Sequence, residues 1–185
     1  LRFGGRLRTL ISGGSSLPAD VFKAFSGLGF SLYEGYGLTA ASPVLAVNRP
    51  GRKLRPGTVG EPLPGVEIVI DAPDGDGVGE VIARGANVML GYFEDPEATA
   101  QVVRDGWLRT GDLGKLDDGG RLVIVGRKKE VIIDLSGKNV YPDEIEQIYA
   151  DSPWLGELSV VGLPNDDGGE RVACLVVAVS ESHKA

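Results

Sequence analysis

The sequence predicts the end of a parallel α/β subdomain, then a small antiparallel β-barrel, then an incomplete α+β domain. Residues 1–33 show the order strand, glycine loop, helix, strand, which is typical of a parallel sheet. A run rich in proline and glycine from Pro50 to Gly65 ends this pattern, and short strand patterns follow it. A basic connector at residues 126–129 precedes the last strands and a helix. We therefore predict domains at residues 1–52, 53–126 and 127–185.

Composition excludes several classes of protein. The 185 residues carry 26 acidic and 19 basic side chains, a net charge of −7, whereas a protein that binds nucleic-acid phosphates is usually basic. No apolar run is long enough to span a bilayer and no signal peptide opens the chain, so we expect a cytoplasmic protein, with peripheral membrane contact left open. The single cysteine, Cys174, excludes an internal disulfide, and its apolar surroundings favour a small buried side chain.

The first region contains two glycine-rich segments that follow strands. Leu7–Ser12 is predicted as a strand, and a helix begins at Pro18 with Ser16 as its cap. Phe30–Tyr33 is predicted as a second strand, followed by a loop at residues 34–39. Because ligands bind at the carboxyl ends of parallel strands, the two glycine segments are expected to lie side by side there.

The side chains of these two segments suit a nucleotide. Glycines at positions 13, 14, 35 and 37 let the backbone approach a ligand closely. Tyr36 offers a flat face for a base, and Thr39 offers a hydroxyl group for a phosphate. On composition alone, two ordinary glycine turns explain the pattern equally well. Neither segment is a P-loop, because no Gly-Lys-Ser/Thr follows.

The middle and last regions are predicted from strand and turn patterns. One helix, capped by Asp95 and begun by Pro96, interrupts the middle strands. The acidic segment Asp71–Glu80 superficially resembles a calcium loop, but its spacing favours a hairpin turn. The predicted strands are Val66–Ile70, Gly79–Arg84, Trp107–Leu108, Leu113–Leu116, Arg121–Val125, Glu130–Leu135, Leu158–Gly162 and Arg171–Val179. A helix at Pro142–Ala150 is expected to turn Ile145, Ile148 and Tyr149 inward.

The sequence offers neither a Ser/His/Asp set nor a cluster of metal ligands. The only histidine, His183, lies in the tail, so there is no Ser/His/Asp set, and no cluster has metal-ligand spacing. The paired carboxylates Asp117-Asp118 and Asp166-Asp167 lie in turn-like segments and are interpreted as solvated.

What remains is a site for an anionic, sugar-bearing ligand. An ionised Asp112 can accept two hydrogen bonds from a vicinal diol such as ribose. Arg127 and Lys129 complement phosphate or carboxylate charge. These groups indicate catalysis by positioning and electrostatics rather than by a side-chain nucleophile.

Eight motifs give the chain a family resemblance. They are Ile-Ser-Gly-Gly-Ser, Glu-Gly-Tyr-Gly-Leu-Thr, Thr-Val-Gly-Glu-Pro-Leu-Pro-Gly, Gly-Glu-Val-Ile-Ala-Arg-Gly, Val-Met-Leu-Gly-Tyr, Gly-Trp-Leu-Arg-Thr-Gly-Asp, Gly-Arg-Lys-Lys-Glu and Asn-Val-Tyr-Pro-Asp-Glu-Ile-Glu. In this order they resemble the carboxyl-terminal part of the AMP-forming acyl-CoA synthetases of the adenylate-forming superfamily. The Asn-Val-Tyr-Pro form is most similar to bacterial long-chain fatty-acid–CoA ligases.

The resemblance implies a reaction in two steps. A fatty carboxylate attacks the α-phosphate of ATP to give acyl-AMP and pyrophosphate, and the thiol of CoA then displaces AMP. The implied nucleotide-binding residues are Gly13, Gly14, Ser15, Gly35, Tyr36, Gly37, Leu38 and Thr39, with Asp112 and Arg127 on the ribose. Thr39 and Lys129 are the implied catalytic residues. Lys129 is the hinge of a carboxyl-terminal lid, and Gly137 faces the CoA tunnel after the lid rotates.

Three departures from the family pattern accompany the resemblance. Ala40 stands where the family has a glutamate that helps to bind Mg²⁺, and a methyl group cannot ligate a hard cation, so the magnesium site is incomplete here. The family's phosphate loop is expected upstream of Leu1, and its lid lysine beyond Ala185. We therefore interpret the chain as a fragment that does not catalyse adenylation alone.

Three other readings stay open. An acyl-AMP ligase would deliver the acyl group to a carrier protein instead of CoA. A degenerate homologue would bind nucleotide or acyl groups without turnover, and Ala40 is the residue that favours it. An acidic, β-rich interaction module would explain the strands but not the order of the motifs.

Overall fold

A computed structural model of the protein describes residues 5–51, 54–150, 152–165 and 169–179. The predictions for Asp166, Asp167 and His183 lie outside these residues. The chain divides into two compact units, Leu1–Ile124 and Val125–Ala185, and each is described by itself.

The first unit contains two helices and most of the strands. Its elements are β1 Thr9–Gly13, α1 Ala19–Gly27, β2 Ser31–Gly37, β3 Val44–Val47, β4 Glu61–Pro62, β5 Val66–Asp71, β6 Gly79–Gly85, α2 Pro96–Val102, β7 Val103–Arg104, β8 Trp107–Leu116 and β9 Leu122–Arg127. One 3-10 turn, Thr39–Ala41, follows β2. The division between the units falls within β9.

The second unit is a smaller set of hairpins and one helix. Its elements are β10 Ile132–Ile133, β11 Asn139–Val140, α3 Pro142–Tyr149, β12 Leu155–Pro164 and β13 Glu170–Ala178. The strands pair antiparallel as β10 with β11 and β12 with β13, and α3 packs against β12.

The predicted strand–helix–strand unit is confirmed at the start of the chain. β1 and β2 pair in parallel, α1 joins them, and β3 and β4 extend the sheet antiparallel. The helix ends before Gly29, whose φ of +86° suits a residue without a side chain. The interpretation of Ser16 as the cap was wrong, because Pro18 occupies the cap position and no side chain caps the helix.

The second sheet of the first unit has the order β5-β6-β8-β7, with β9 pairing to β8, and curls into a half-barrel. The prediction of two separate strands at Trp107–Leu108 and Leu113–Leu116 was wrong, because β8 is one ten-residue strand. Its pairing with β6 contains a bulge. Ile82 of β6 pairs with Arg109 and Glu80 pairs with Leu113, so β8 advances four residues where β6 advances only two. The glycine and polar residues that suggested a loop form this bulge instead.

Two clusters of apolar side chains form the core of the first unit. One contains Ala41, Leu45, Ala83 and Leu108, and the other contains Ala46, Val81 and Leu122. The partly buried ring of Tyr36 packs against both clusters. Residues of the parallel sheet and the curled sheet therefore share one interior.

A charged pair closes the turn between β8 and β9. Asp117 lies 2.7 Å from Arg121 and 3.4 Å from Arg55, so its interpretation as a solvated carboxylate was wrong. The hydrogen bond from the Arg121 side chain lowers the pKa of Asp117 to about 2, and the backbone amides of Arg121 and Gly119 act in the same direction.

Three burial predictions for the second unit were wrong. Ile148 is 75% exposed and Tyr149 is also exposed, whereas Ile145 is half-buried as expected for the inner face of α3. Cys174 is exposed on β13 rather than buried.

The predicted strand at Glu130–Leu135 shortens to Ile132–Ile133. Among the residues that the structure describes, no helix has the length and apolar character needed to cross a membrane.

Candidate functional site

The ends of β1 and β2 bring two predicted glycines together. Gly13 is the register partner of Gly35, and a Cβ atom on Gly13 would lie 3.2 Å from the carbonyl oxygen of Gly35. Gly14 follows with a φ of +92°, a backbone conformation that favours glycine, and both Gly14 and Ser15 are exposed. The two segments therefore lie side by side at the carboxyl end of the parallel pair, as the sequence predicts.

The second glycine segment is not the loop that the sequence predicts. Gly35, Tyr36 and Gly37 continue β2, and the chain leaves the strand only at Leu38. A Cβ atom on Gly37 would lie 1.8 Å from the carbonyl oxygen of Pro43, so this position accepts only glycine without a backbone shift. Thr39 then begins the 3-10 turn with an exposed side chain.

Tyr36 and Asp112 form a hydrogen bond that sequence reasoning missed. The Tyr36 hydroxyl donates to Oδ2 of Asp112 at 2.6 Å, although the two residues are 76 positions apart in the chain. Asp112 is only 6% exposed. A buried tyrosine usually satisfies its hydroxyl group while its ring packs, and here the ring contacts both core clusters. The contact brings together two residues that were assigned to the ligand from separate motifs.

The bulge in β8 sets the orientation of Asp112. Gly111 has a φ of +74°, and the backbone N–H of Asp112 donates to Oγ1 of Thr110 at 3.1 Å. The Thr110 hydroxyl in turn donates to the carbonyl oxygen of Val81 on β6 at 2.7 Å. Because a bulge redirects the side chains beside it, the strand can hold Asp112 and still complete its pairing on either side.

Glu34 is a second buried carboxyl group beside the glycines of β2. It is 4% exposed, and burial raises its pKa, while hydrogen bonds from the backbone amides of Gly57 and Leu17 oppose the rise. No role at the site was assigned to Glu34 from the sequence. The alternation along β2 could have identified its burial, because Glu34 lies two residues after the buried Leu32.

The residues around Ala40 do not fit a magnesium ion. The Ala40 side chain packs against the core cluster of Leu45, and its carbonyl oxygen accepts a hydrogen bond from the Met89 amide at 2.8 Å. Asn87 secures the same turn by donating to the carbonyl oxygens of Ala41 and Val44. Within the described ranges, no three His, Cys, Asp or Glu side chains are grouped so that they could hold a metal ion.

The remaining predicted site residues belong to the second unit. Arg127 is the last residue of β9, and Lys129 follows it in an exposed turn. Lys129 lines a cleft of about 420 Å³ together with Asp143 and Glu146. Burial raises the pKa of Asp143, the negative charge of Glu146 adds to the rise, and Arg127 opposes it. The roles of Arg127 and Lys129 stay predictions.

Asp134 organises the turn that carries Gly137. Its Oδ1 atom accepts hydrogen bonds from the backbone amides of Ser136 and Lys138 and from the Ser136 hydroxyl. The Ser136 hydroxyl and the Lys138 amide lower the pKa of Asp134. Gly137 has a φ of +78° and is exposed, so the turn presents backbone rather than a side chain at this position. Its predicted role beside CoA stays a prediction.

A sequence model of the family described as "AMP-binding enzyme" matches residues 2–93. Among solved structures, ATP-bound MatB from Rhodopseudomonas palustris is 36% identical with a TM-score of 0.82, and the alignment covers 95% of this chain and 36% of that one. The o-succinylbenzoate CoA synthetase MenE from Bacillus subtilis, in complex with an acyl-adenylate intermediate, is 31% identical with a TM-score of 0.83, covering 94% and 37%. The chain belongs to the adenylate-forming superfamily of AMP-binding enzymes.

Within that superfamily the chain is similar to fatty-acid ligases. It is 42% identical over 177 residues to a long-chain-fatty-acid–CoA ligase of Yersinia pestis, covering 92% of this chain and 31% of the relative. It is 39% identical over 178 residues to the corresponding ligase of Bacillus subtilis strain 168, covering 92% and 32%. The chain thus spans about a third of the length of these relatives.

Proposed function

We propose that the protein to which this chain belongs is an ATP-dependent acid–thiol ligase. It activates a long-chain fatty carboxylic acid as acyl-AMP with release of pyrophosphate, and then transfers the acyl group to CoA with release of AMP. The long-chain-fatty-acid–CoA ligases to which the chain is similar support the substrate class. The resemblance of the motifs supports the two-step reaction.

One observation of the structure carries the proposal. The hydrogen bond between Tyr36 and Asp112 places the predicted ribose-binding carboxylate against the predicted adenine-binding motif. The Tyr36 hydroxyl holds the Asp112 carboxylate in place through this hydrogen bond. A carboxylate that is already held in place loses less freedom when the sugar binds, so its hydrogen bonds contribute more to affinity.

The other residues of the first unit are assigned by their position. Gly13, Gly14 and Gly35 form a surface without side chains along which the nucleotide and the acyl phosphate lie. The exposed hydroxyl of Thr39 faces the phosphates as a hydrogen-bond donor. None of these groups forms a bond with the substrate, so the first unit contributes to catalysis by holding carboxylate and α-phosphate in line.

The second unit is proposed to act as the lid. Arg127 reaches the ribose, Lys129 is the hinge, and the turn at Gly137 borders the path of the CoA thiol. The turn suits a role beside the thiol because Oδ1 of Asp134 accepts hydrogen bonds from the backbone amides of Ser136 and Lys138, while Gly137 between them is exposed. We assign no step to magnesium, because the described residues do not fit it.

The test is fatty-acid-dependent exchange of pyrophosphate into ATP by the full-length protein. Asp112→Ala removes the ribose acceptor, and since a hydrogen bond to a charged group contributes about 1.5–3 kcal/mol, the KM for ATP should rise about 10- to 150-fold. Asp118→Ala, an exposed aspartate in the turn after β8, is the matched control and should leave KM unchanged. Equal effects of the two substitutions, or exchange that does not depend on fatty acid, would contradict the proposal.

Ala40 favours a second candidate, a homologue that binds nucleotide without turnover. Ala40→Glu supplies the carboxylate that the family pattern has at this position. If the wild-type protein is inactive and the variant gains magnesium-dependent adenylate formation, the second candidate is correct. If the wild type is already fast and the variant gains nothing, the ligase proposal stands.

A further inference from the structure

The turn between β2 and β3 carries Thr39, the residue proposed to donate to the phosphates. Its far end is strained, because Ser42 has a φ of 53° and a ψ of 51°, in the left-handed region that residues other than glycine rarely adopt. Inside the turn, the Ser42 amide reaches the carbonyl oxygen of Thr39 only at 3.3 Å, beyond the usual range of such a bond. A strained backbone of this kind persists only where the surrounding structure holds it. The turn therefore depends on contacts from outside.

Asn87 supplies two of these outside contacts. Its Nδ2 group donates to the carbonyl oxygen of Ala41 at 3.0 Å and to that of Val44 at 2.8 Å. The two carbonyl groups stand on either side of the strained link, so one side chain bridges it. The Met89 amide adds a third hydrogen bond, to the carbonyl oxygen of Ala40 at 2.8 Å. The segment that follows β6 thus holds the turn at three backbone oxygens.

A second tight turn, directly after β6, sets the position of Asn87. The Val88 amide donates to the carbonyl oxygen of Gly85 at 3.1 Å and closes this turn. A Cβ atom on Gly85 would lie 2.7 Å from Oδ1 of Asn87, so the glycine leaves room for the amide group. That Oδ1 atom is buried and has no hydrogen-bond partner among the residues that the structure describes. Because a buried oxygen without a partner is unfavourable, the amide is explained by what its N–H groups hold rather than by its own packing.

We propose that Asn87 is a positioning residue that holds Thr39 where its hydroxyl group meets the phosphates of the nucleotide. Asn87 does not itself touch the nucleotide. It acts through the carbonyl oxygens of Ala41 and Val44, which fix the turn that begins at Thr39. The inference rests on the proposed function, which assigns Thr39 to the phosphates, but the attachment of the turn can be measured without any activity.

The experiment is a double-mutant cycle between Asn87 and Thr39 in the full-length protein. Asn87→Ala removes the side-chain donor, and Asn87→Asp has nearly the same size but no N–H group at neutral pH. Thr39→Ala removes the hydroxyl group. Asn48→Ala is the matched control, because the buried Asn48 also donates to two carbonyl oxygens, those of Glu34 and Thr58, but not to the turn.

Two measurements separate positioning from a simple loss of stability. Hydrogen exchange of a peptide covering residues 38–44 reports the attachment of the turn, and calorimetric titration with ATP in the absence of fatty acid reports binding. We expect both Asn87 substitutions to accelerate exchange in this peptide. They should also weaken ATP binding about tenfold, the lower end for loss of one hydrogen bond to a charged group.

The Thr39→Ala background gives the decisive comparison. There the Asn87 substitutions should change ATP affinity by less than about twofold, because the hydroxyl group that they displace is already absent. Asn48→Ala should lower Tm and leave exchange in the 38–44 peptide unchanged. Either Asn87 substitution is sufficient, so the test remains available if one of the two variants does not fold.

Several results would overturn the inference. They are unchanged exchange in the 38–44 peptide of the Asn87 variants, the same acceleration in Asn48→Ala, and ATP binding that Thr39→Ala leaves unaltered. If Asp112→Ala weakens ATP binding while the effects at Asn87 and Thr39 simply add, the inference fails and the proposed function stands. If the cycle shows the expected coupling in a protein that forms no acyl-adenylate, the inference stands and the proposed reaction is rejected.

Discussion

Replacing Gly37 by alanine tests the close backbone contact that forms the end of β2. The added Cβ atom would lie 1.8 Å from the carbonyl oxygen of Pro43 and 2.8 Å from Cα of Val44. Both are backbone atoms, so no side-chain rotation relieves the overlap. Overpacking costs about 1–3 kcal/mol, and the upper end applies here because the chain itself must move. For a domain of this size that corresponds to a fall in Tm of about 6–12 °C.

Gly35 provides a matched control in the same motif. A Cβ atom there would lie 3.4 Å from the carbonyl oxygen of Ala46, which is ordinary contact, and neither glycine has a positive φ. Gly35→Ala should therefore be neutral or stabilising by up to about 1 kcal/mol, because alanine restricts the unfolded chain. Thermal and urea unfolding followed by circular dichroism measure both variants. Equal Tm values for the two would refute the contact as the reason for the second glycine.

Three further predictions concern the same unit. Tyr36→Phe keeps the ring but removes the hydrogen bond to Asp112, so it should raise the KM for ATP and lower stability by about 1.5–3 kcal/mol; an unchanged KM would contradict the proposed role. Leu45→Ala, at a fully buried position, should cost about 2–5 kcal/mol in urea unfolding, and a cost below 1 kcal/mol would contradict its placement. The folded-state pKa of Asp117 lies below its ordinary value of 3.8, so its stabilising contribution is present above pH 3.8 and is lost as pH falls towards 2. Asp117→Asn should accordingly be less stable than wild type at pH 7, and this difference should shrink as pH falls through that window; a constant difference would contradict the pairing with Arg121.

Local patterns in the sequence were sufficient for the parallel part of the fold. The order strand, glycine loop, helix, strand is usually folded as a parallel pair of strands with the helix packed on them. β1, α1 and β2 adopt this arrangement. β8 could not be predicted in the same way. Thr110-Gly111-Asp112 has the composition of a loop, and only pairing with β6, about 30 residues earlier, makes it a bulge within a strand.

Contacts between distant residues were likewise not predictable at the candidate nucleotide site. Tyr36 and Asp112 were each selected from their own motif, but no local pattern reports a hydrogen bond across 76 residues. Helix α3 was placed correctly from its Pro142 start, whereas the burial of Ile148 depends on what packs against the helix, and periodicity does not specify that. Burial of Cys174 was inferred from its apolar neighbours, yet both faces of β13 are largely exposed.

Tyr36 serves both the core and the proposed nucleotide site, and this limits which substitutions the protein can accept. Its ring belongs to both core clusters and its hydroxyl to Asp112, so a substitution there lowers stability and alters the proposed sugar contact at once. Proteins tolerate only a small loss of stability before they are eliminated by selection. Ser15 and Thr39 are exposed and are not subject to this double constraint. Under random mutagenesis with selection for a different nucleotide, we expect accepted substitutions to accumulate at those loop positions and to spare Tyr36.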